Sequence, residues 1–295
     1  MRNRNFIIEY SQNFLKDPAL VNKLLDKSSI GKEDIVYEIG SGKGVITQEL
    51  AKRCLKVIGI EKDKKLYKIL KEDLFKKHKI EIKLGDFLEQ KLLLEKRYKV
   101  FSNIPFNITA DIVRKLTCSP NPPEDCYLII QKEAAQKYAG LPKETQFSLL
   151  LKPWFELKVL HYFQKMDFSP VPSVDIVLLQ IKKREESLVK KIYTQLYRDF
   201  IVYGFNQWKP TLEEAFKKIF TYVQFKKLSR NLGFDLRAKP SDLDLRQWLG
   251  LFSYFSENVE EDKKKLIYRA EFWLKQQQSH LQKIHRTKQN RDSLS

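Results

Sequence analysis

Short apolar runs alternate with amphipathic stretches through the first 180 residues. Runs rich in Val, Ile, Leu, Tyr and Phe predict strands at Ile35–Ile39, Lys56–Ile60, Ile80–Leu84, Tyr98–Ser102, Cys126–Gln131, Leu157–Phe163 and Val174–Ile181. Helical windows such as Gly44–Arg53 and Lys64–Phe75 lie between the early strands. That alternation predicts an α/β fold built on a parallel, doubly wound sheet. The last two strands have no helix between them. Gln164-Lys-Met-Asp-Phe-Ser-Pro-Val-Pro-Ser173 joins them instead, which predicts a hairpin with a long loop.

From about Lys182 the pattern changes. A charge-rich joint, Lys182-Lys-Arg-Glu-Glu-Ser-Leu-Val-Lys-Lys191, leads into windows with helical apolar spacing at Leu188–Tyr203, Leu212–Phe220 and Leu243–Phe255. Pro210 and Pro240 punctuate them as helix boundaries. The organisation read from this is a first domain over 1–181, a small all-helical domain over 182–255 and a basic polar tail over 256–295. The front of the tail, Glu260–Gln278, has a helical composition, and its end is expected to be disordered.

Composition narrows the partner. The 295 residues are 42% apolar, enough for a sizeable core, so a wholly disordered chain is excluded. Lys and Arg number 55 against 37 Asp and Glu, a net charge of +18. That excess points to a polyanion, nucleic acid ahead of an anionic membrane surface. Residues 1–180 carry a net +8, 181–255 a net +7 and the tail +3, so the helical region has about twice the first domain's excess per residue. Holding a phosphate backbone is its expected role. Cys54, Cys118 and Cys126 form no C-x-x-C pair, and His78, His161, His280 and His285 are scattered, so neither a disulfide scaffold nor a metal site is expected. The apolar run near Met1 is too short for a signal peptide, and no run approaches a membrane span. A cytoplasmic monomer is expected.

Val36-Tyr-Glu-Ile-Gly-Ser-Gly-Lys-Gly44 follows the first strand and opens a helix. Its alternate glycines let the backbone turn tightly and approach a ligand. It is not the dinucleotide fingerprint, because Val45 stands where G-x-G-x-x-G needs its last glycine. Glu61 ends the second strand, where a carboxylate can accept from both hydroxyls of a ribose. Asp86 follows the third strand, placed to accept from an adenine amine, and Asn103 follows the fourth. Each acid alone reads better as an ordinary loop carboxylate. Four successive strand ends with suited groups read better as a ligand site, since doubly wound sheets bind at the carboxyl ends of their strands.

Asn103-Ile-Pro-Phe106 is the sharpest chemical signal. The lone pair of an exocyclic adenine amine is delocalised into the ring, so the nitrogen is a poor nucleophile. Acceptors aimed at its two N–H bonds favour a pyramidal nitrogen and localise that pair. The side-chain oxygen of Asn103 and the carbonyl of Ile104 can supply them, with Pro105 fixing the backbone. Phe106 offers a face on which a flipped-out base can stack, worth about 1–3 kcal/mol. Phe168, in Phe168-Ser-Pro-Val-Pro172, either closes the other face of the base or is a structural residue beside a proline turn.

Together these residues resemble the rRNA adenine-N(6) dimethyltransferase family. The resemblance runs from Gln12-Asn-Phe-Leu15 through Glu38-Ile-Gly-Ser-Gly-Lys-Gly44, Glu61, Asp86 and Asn103–Phe106 to the loop at Phe168–Pro172, and more loosely to about residue 255. It implies a Rossmann-like methyltransferase domain, a small helical C-terminal domain and S-adenosylmethionine as cofactor. It further implies that Asn13 and the backbone of Leu15 meet the methionine part. Glu38, Gly40 and Gly42 would form the cofactor loop, Glu61 would hold the ribose and Asp86 the adenine amine. Asn103 would sit between cofactor and target base.

Two branches of the family differ after the asparagine. The KsgA type, acting on small-subunit RNA, typically reads Asn-Leu-Pro-Tyr-Asn. The erythromycin-resistance (Erm) type, acting on 23S rRNA, reads Asn-Ile-Pro-Phe or Asn-Ile-Pro-Tyr, then an apolar residue and Ser or Thr. Asn103-Ile-Pro-Phe-Asn-Ile-Thr109 looks like the Erm type, as do Leu149-Leu-Leu-Lys-Pro-Trp-Phe-Glu156 and Gln247-Trp-Leu-Gly-Leu-Phe252. The resemblance therefore implies 23S rRNA as partner and resistance to macrolide, lincosamide and streptogramin B drugs. A KsgA-type assembly enzyme is the alternative, and a non-catalytic nucleic-acid-binding relative is a third.

Overall fold

Period-two alternation sorts each central strand's side chains onto two faces. The computed structural model describes residues 13–74, 78–92 and 96–280. Strand β6 (Asp125–Gln131) is the clearest case. Cys126, Leu128 and Ile130 enter one core cluster, while Tyr127 and Ile129 enter another. Both faces are covered, which explains why this strand reads as one continuous apolar run. The described residues divide into two compact units, with the boundary between Leu188 and Val189.

In the first unit, seven strands among the described residues form one sheet. They are β2 (Ile35–Ile39), β3 (Lys56–Glu61), β4 (Ile80–Leu84), β5 (Lys99–Asn103), β6, β7 (Phe155–Tyr162) and β9 (Ile176–Lys183). Their order is β4-β3-β2-β5-β6-β9-β7. The first five pair in parallel, and β9 runs antiparallel to both β6 and β7. The predicted strands thus occur within a residue or two of their expected bounds, and the last long pair forms the expected hairpin. The chain order reverses between β2 and β5, which opens a crevice at their carboxyl ends. Helix α1 (Pro18–Asp26) and helix α2 (Val45–Arg53) supply Val21, Leu24 and Leu50 to one face of the sheet. Helix α3 (Lys64–Leu74) and helix α4 (Thr109–Thr117) follow β3 and β5 in the chain.

The hairpin loop contains β8 (Phe168–Ser169), which pairs antiparallel with β1 (Phe14–Leu15). The first unit also runs past the boundary expected at residue 181. Strand β9 continues through Lys183, and the backbone N–H groups of Arg184 and Leu188 donate to the carbonyls of Trp154 and Pro153, each at 2.9 Å.

The second unit is built on α7 (Thr194–Phe205), following α5 (Lys132–Ala139) and α6 (Gln146–Leu149) of the first. Phe200 of α7 stacks on Phe216 at 4.8 Å, and Trp248, Phe252 and Phe255 close around it. The surrounding helices are α8 (Leu212–Phe216), α9 (Tyr222–Leu232) and α10 (Leu245–Asn258). Capping boxes at Thr221 and Asp244 start the last two, which places Pro240 ahead of α10 as a boundary.

The tail differs from its expected form. Glu260–Gln278 is not one helix but α11 (Glu261–Lys264) and α12 (Ala270–His280), broken at Arg269. Nor is it separate from the helical unit, because Arg198 of α7 forms an ion pair with Glu271 of α12 at 2.7 Å. The end expected to be disordered lies outside the described residues.

Candidate active site

The loop after β2 sets the geometry. Gly40, Gly42 and Gly44 all have φ between 56° and 77°, the left-handed region that glycine alone adopts without strain. A Cβ on Gly40 would project into open space, leaving its backbone approachable, whereas one on Gly42 would fall 2.7 Å from the Phe14 ring. Gly42 therefore lets the β1 segment lie against the loop. The Gly42 N–H donates to the Glu61 carboxylate at 2.8 Å, and the Asp63 N–H donates to its other oxygen at 2.9 Å. Two backbone donors thus fix a carboxylate that is only 1% exposed and leave it further lone pairs to accept with.

Glu38 has a different place from the one expected. It is 1% exposed, and the hydroxyls of Ser41 and Thr47 both donate to the same carboxyl oxygen. Burial pushes its pKa up to about 8, against the pull of the Thr47 and Ser41 hydroxyls and with Glu61 adding to the rise. Its contacts shape the glycine loop from behind, so it is a positioning residue. Ser102 does the same from β5, its hydroxyl oxygen accepting the Ile39 N–H at 2.7 Å.

Asp86 lies one residue beyond Gly85, whose N–H donates to the Glu61 carbonyl at 2.9 Å. Lys62 pairs with its carboxylate at 2.8 Å and holds it below the ordinary aspartate value. Beneath this turn, the Lys115 ammonium donates to three carbonyls, those of Phe87, Leu88 and Gln90, at 2.6–2.8 Å. Its own pKa is lowered by burial. Sequence reasoning missed Lys115, because three main-chain acceptors leave no side-chain pattern to match.

At the end of β5, Asn103 Nδ2 donates to the backbone carbonyl of Asn13 at 2.5 Å. A carbonyl can only accept, so the amide nitrogen must face it and Oδ1 is left as an acceptor. Ile104 is buried and its N–H reaches the Ile129 carbonyl at 3.4 Å; among the described residues nothing donates to its own carbonyl. Pro105 precedes the short 3-10 turn Phe106–Ile108, and Phe106 is half-buried. Leu15 pairs with Phe168 across the β1–β8 ladder.

That pairing brings Phe168 beside the site, but its ring is buried. Its ring is 0% exposed and packs 5.2 Å from Phe163. A ring with no exposed surface has no free face for a base, so the structural reading of Phe168 holds here. Gln12 lies outside the described residues. Among the described residues, no group of three His, Cys, Asp or Glu is placed to hold a metal, and no helix is long and apolar enough to cross a membrane.

A parallel sheet with a reversal beside a glycine loop, and polar side chains at the next three strand ends, define an α/β nucleoside-binding unit of the methyltransferase type. Residues 3–257 match the family model for ribosomal RNA adenine dimethylase, and the chain belongs to that family. It is 28% identical over 249 residues to the ribosomal RNA small subunit methyltransferase A of Mycoplasmopsis pulmonis, covering 82% of this chain and 96% of the relative. It is 30% identical over 248 residues to an rRNA adenine N-6-methyltransferase of Limosilactobacillus reuteri, covering 84% and 96%. The crystal structure of the 23S rRNA methyltransferase ErmE superposes with a TM-score of 0.78 at 25% identity, over 83% of this chain and 100% of that one. A dimethyladenosine transferase from Plasmodium falciparum shares the fold, with a TM-score of 0.68 at 21% identity, over 83% and 98%. The chain is accordingly an rRNA adenine N6-methyltransferase that uses S-adenosylmethionine. The open backbone at Gly40 and the anchored carboxylate of Glu61 fit that cofactor.

Proposed function

We propose that this chain is an Erm-type enzyme, which methylates the exocyclic N6 amine of one adenine in 23S rRNA and so confers macrolide, lincosamide and streptogramin B resistance. The observation that carries the reading is the run Asn103-Ile-Pro-Phe-Asn-Ile-Thr109, which follows the Erm pattern in its isoleucine, phenylalanine and threonine. The likeness to ErmE supports it. The 28% identity to a small-subunit enzyme favours a second reading, a KsgA-type enzyme on 16S rRNA.

S-adenosylmethionine, when bound, supplies an electrophilic methyl group on a sulfonium sulfur. Gly40 and the backbone around Asn13 and Leu15 border it. Glu61 accepts from its ribose hydroxyls and Asp86 from its adenine amine. Asn103 Oδ1 and the Ile104 carbonyl accept from the two N–H bonds of the target amine and localise its lone pair. Pro105 holds those acceptors in place, and Phe106 stacks on the flipped base. No general base is required, since the proton leaves after transfer. The helical domain and basic tail hold the RNA backbone, in the cytoplasm where ribosomes are made. On the ribosome, the added methyl groups remove a donor and add bulk where the drug docks.

The test supplies labelled S-adenosylmethionine with either protein-free 23S RNA or immature small subunits and maps the modified nucleotide. Label at one 23S adenine, with raised macrolide tolerance in cells, is the expected result. Label confined to small subunits overturns it in favour of the second reading, and no label on either RNA overturns both.

A further inference from the structure

The family match ends at residue 257, and the chain continues into α11 and α12. The turn between α11 and α12 holds Arg269 at φ 66°, a conformation that disfavours any side chain but glycine's. Asp199 of α7 maintains it, accepting the N–H groups of Arg269 at 3.1 Å and Glu271 at 2.9 Å. Arg198 forks onto both oxygens of Glu271 at 2.7 and 2.8 Å, and Ile267 is fully buried. The turn is thus built in, and it directs three side chains together. The Arg269 guanidinium lies 4.4 Å from the Phe272 ring centre and 5.3 Å from that of Trp273. Those rings remain 40% and 52% exposed. Among the described residues, no carboxylate pairs with the Arg269 side chain.

An exposed guanidinium against two exposed rings suits a ligand offering both a π-face and a negative charge. RNA offers both at every nucleotide, and ribosomal RNA is this enzyme's substrate class. The charge of the following segment agrees, since residues 281–295 hold Lys283, Arg286, Lys288 and Arg291 against the single acid Asp292. We propose that Arg269, Phe272 and Trp273 form an auxiliary RNA site that takes unpaired nucleotides, the rings stacking on bases and Arg269 meeting a phosphate. The inference rests on the chain being a ribosomal RNA methyltransferase and is independent of which ribosomal RNA it modifies.

The test uses the full-length protein, with circular dichroism to check folding, and a fluorescein-labelled oligoadenylate of about twelve nucleotides, long enough for a stacking site. Phe272→Ala/Trp273→Ala should weaken binding about tenfold, as loss of one or two stacked bases implies. Arg269→Gln should lower the slope of log affinity against log salt by about one. Oligoadenylate should quench the wild-type tryptophan fluorescence, and Trp273→Phe should abolish that quench while binding within about threefold. On the ribosomal RNA that the wild type methylates, the double variant should raise the RNA KM and leave kcat and the S-adenosylmethionine KM unchanged. An unchanged affinity in the folded double variant, a quench that survives Trp273→Phe, or no wild-type binding of the oligonucleotide overturns the site. Failure to label 23S RNA while these results hold overturns only the 23S reading.

Discussion

The backbone carbonyl of Asn13 orients the side chain of Asn103, ninety residues away, by accepting its Nδ2 hydrogen at 2.5 Å. That bond decides which end of the amide is left to accept. Asn103→Asp exchanges the amide donor for a second acceptor oxygen, which is set against the Asn13 carbonyl, so the side chain should turn away. Asn103→Ala removes the acceptor outright. Both variants should lose about 100- to 1000-fold in kcat, the scale of deleting one preorganised polar group. RNA affinity should change by less than about twofold. Normal single-turnover methylation by the Asp variant would refute the orientation.

Glu38 gives the fold a pH dependence of its own. With its pKa raised from 4.5 to about 8 by burial, the folded protein binds a proton more tightly there than the unfolded chain does. The stability this brings is complete below 4.5 and is lost as pH rises through about 8. Glu38→Gln keeps an uncharged side chain at every pH. Its unfolding free energy should therefore fall less than the wild type's between pH 4.5 and about 8, by a difference on the order of a few kcal/mol. Parallel midpoint-against-pH curves would show that Glu38 ionises normally.

Lys115 acts on the cofactor side without being placed to touch it. Lys115→Met keeps most of the apolar stem and removes the donor to Phe87, Leu88 and Gln90. The turn carrying Asp86 should loosen, raising the S-adenosylmethionine KM about tenfold, the loss of roughly one well-made bond to a charged group. The RNA KM should stay constant and kcat should change by less than about twofold. Equal changes in the KM of both substrates would mean that the lysine supports the fold generally.

The docked tail should release in acid. Burial raises the Glu271 carboxyl, but the opposing pull of Arg198 and Lys275 prevails and brings its pKa down to about 2. This contribution is complete above 4.5 and is lost as pH falls through about 2. At neutral pH, Glu271→Gln should cost about 3 kcal/mol in urea unfolding by leaving Arg198 unpaired. Its thermal midpoint should fall less than the wild type's over that acid range. A neutral-pH loss below about 0.5 kcal/mol would place the pair among ordinary surface bridges.

Strand positions, the helical second unit, the glycine loop and the polar strand ends are legible along the chain because residue type and spacing encode them locally. A central strand announces itself through an unbroken apolar run, and a strand-end acid through its register. What needed the tertiary structure is every role set by distant backbone. Glu38 reads as a ligand group but turns inward onto Ser41 and Thr47. Phe168 reads as either a stacking ring or a structural one, and it is fully buried against Phe163. Lys115 carries no signal in the sequence yet binds three carbonyls, and the tail reads as a separate polar segment with a helical front yet docks through Arg198 and Asp199. The reason is common to all four. Main-chain groups and burial carry no signature in residue identity, so their partners are chosen only when the chain closes on itself.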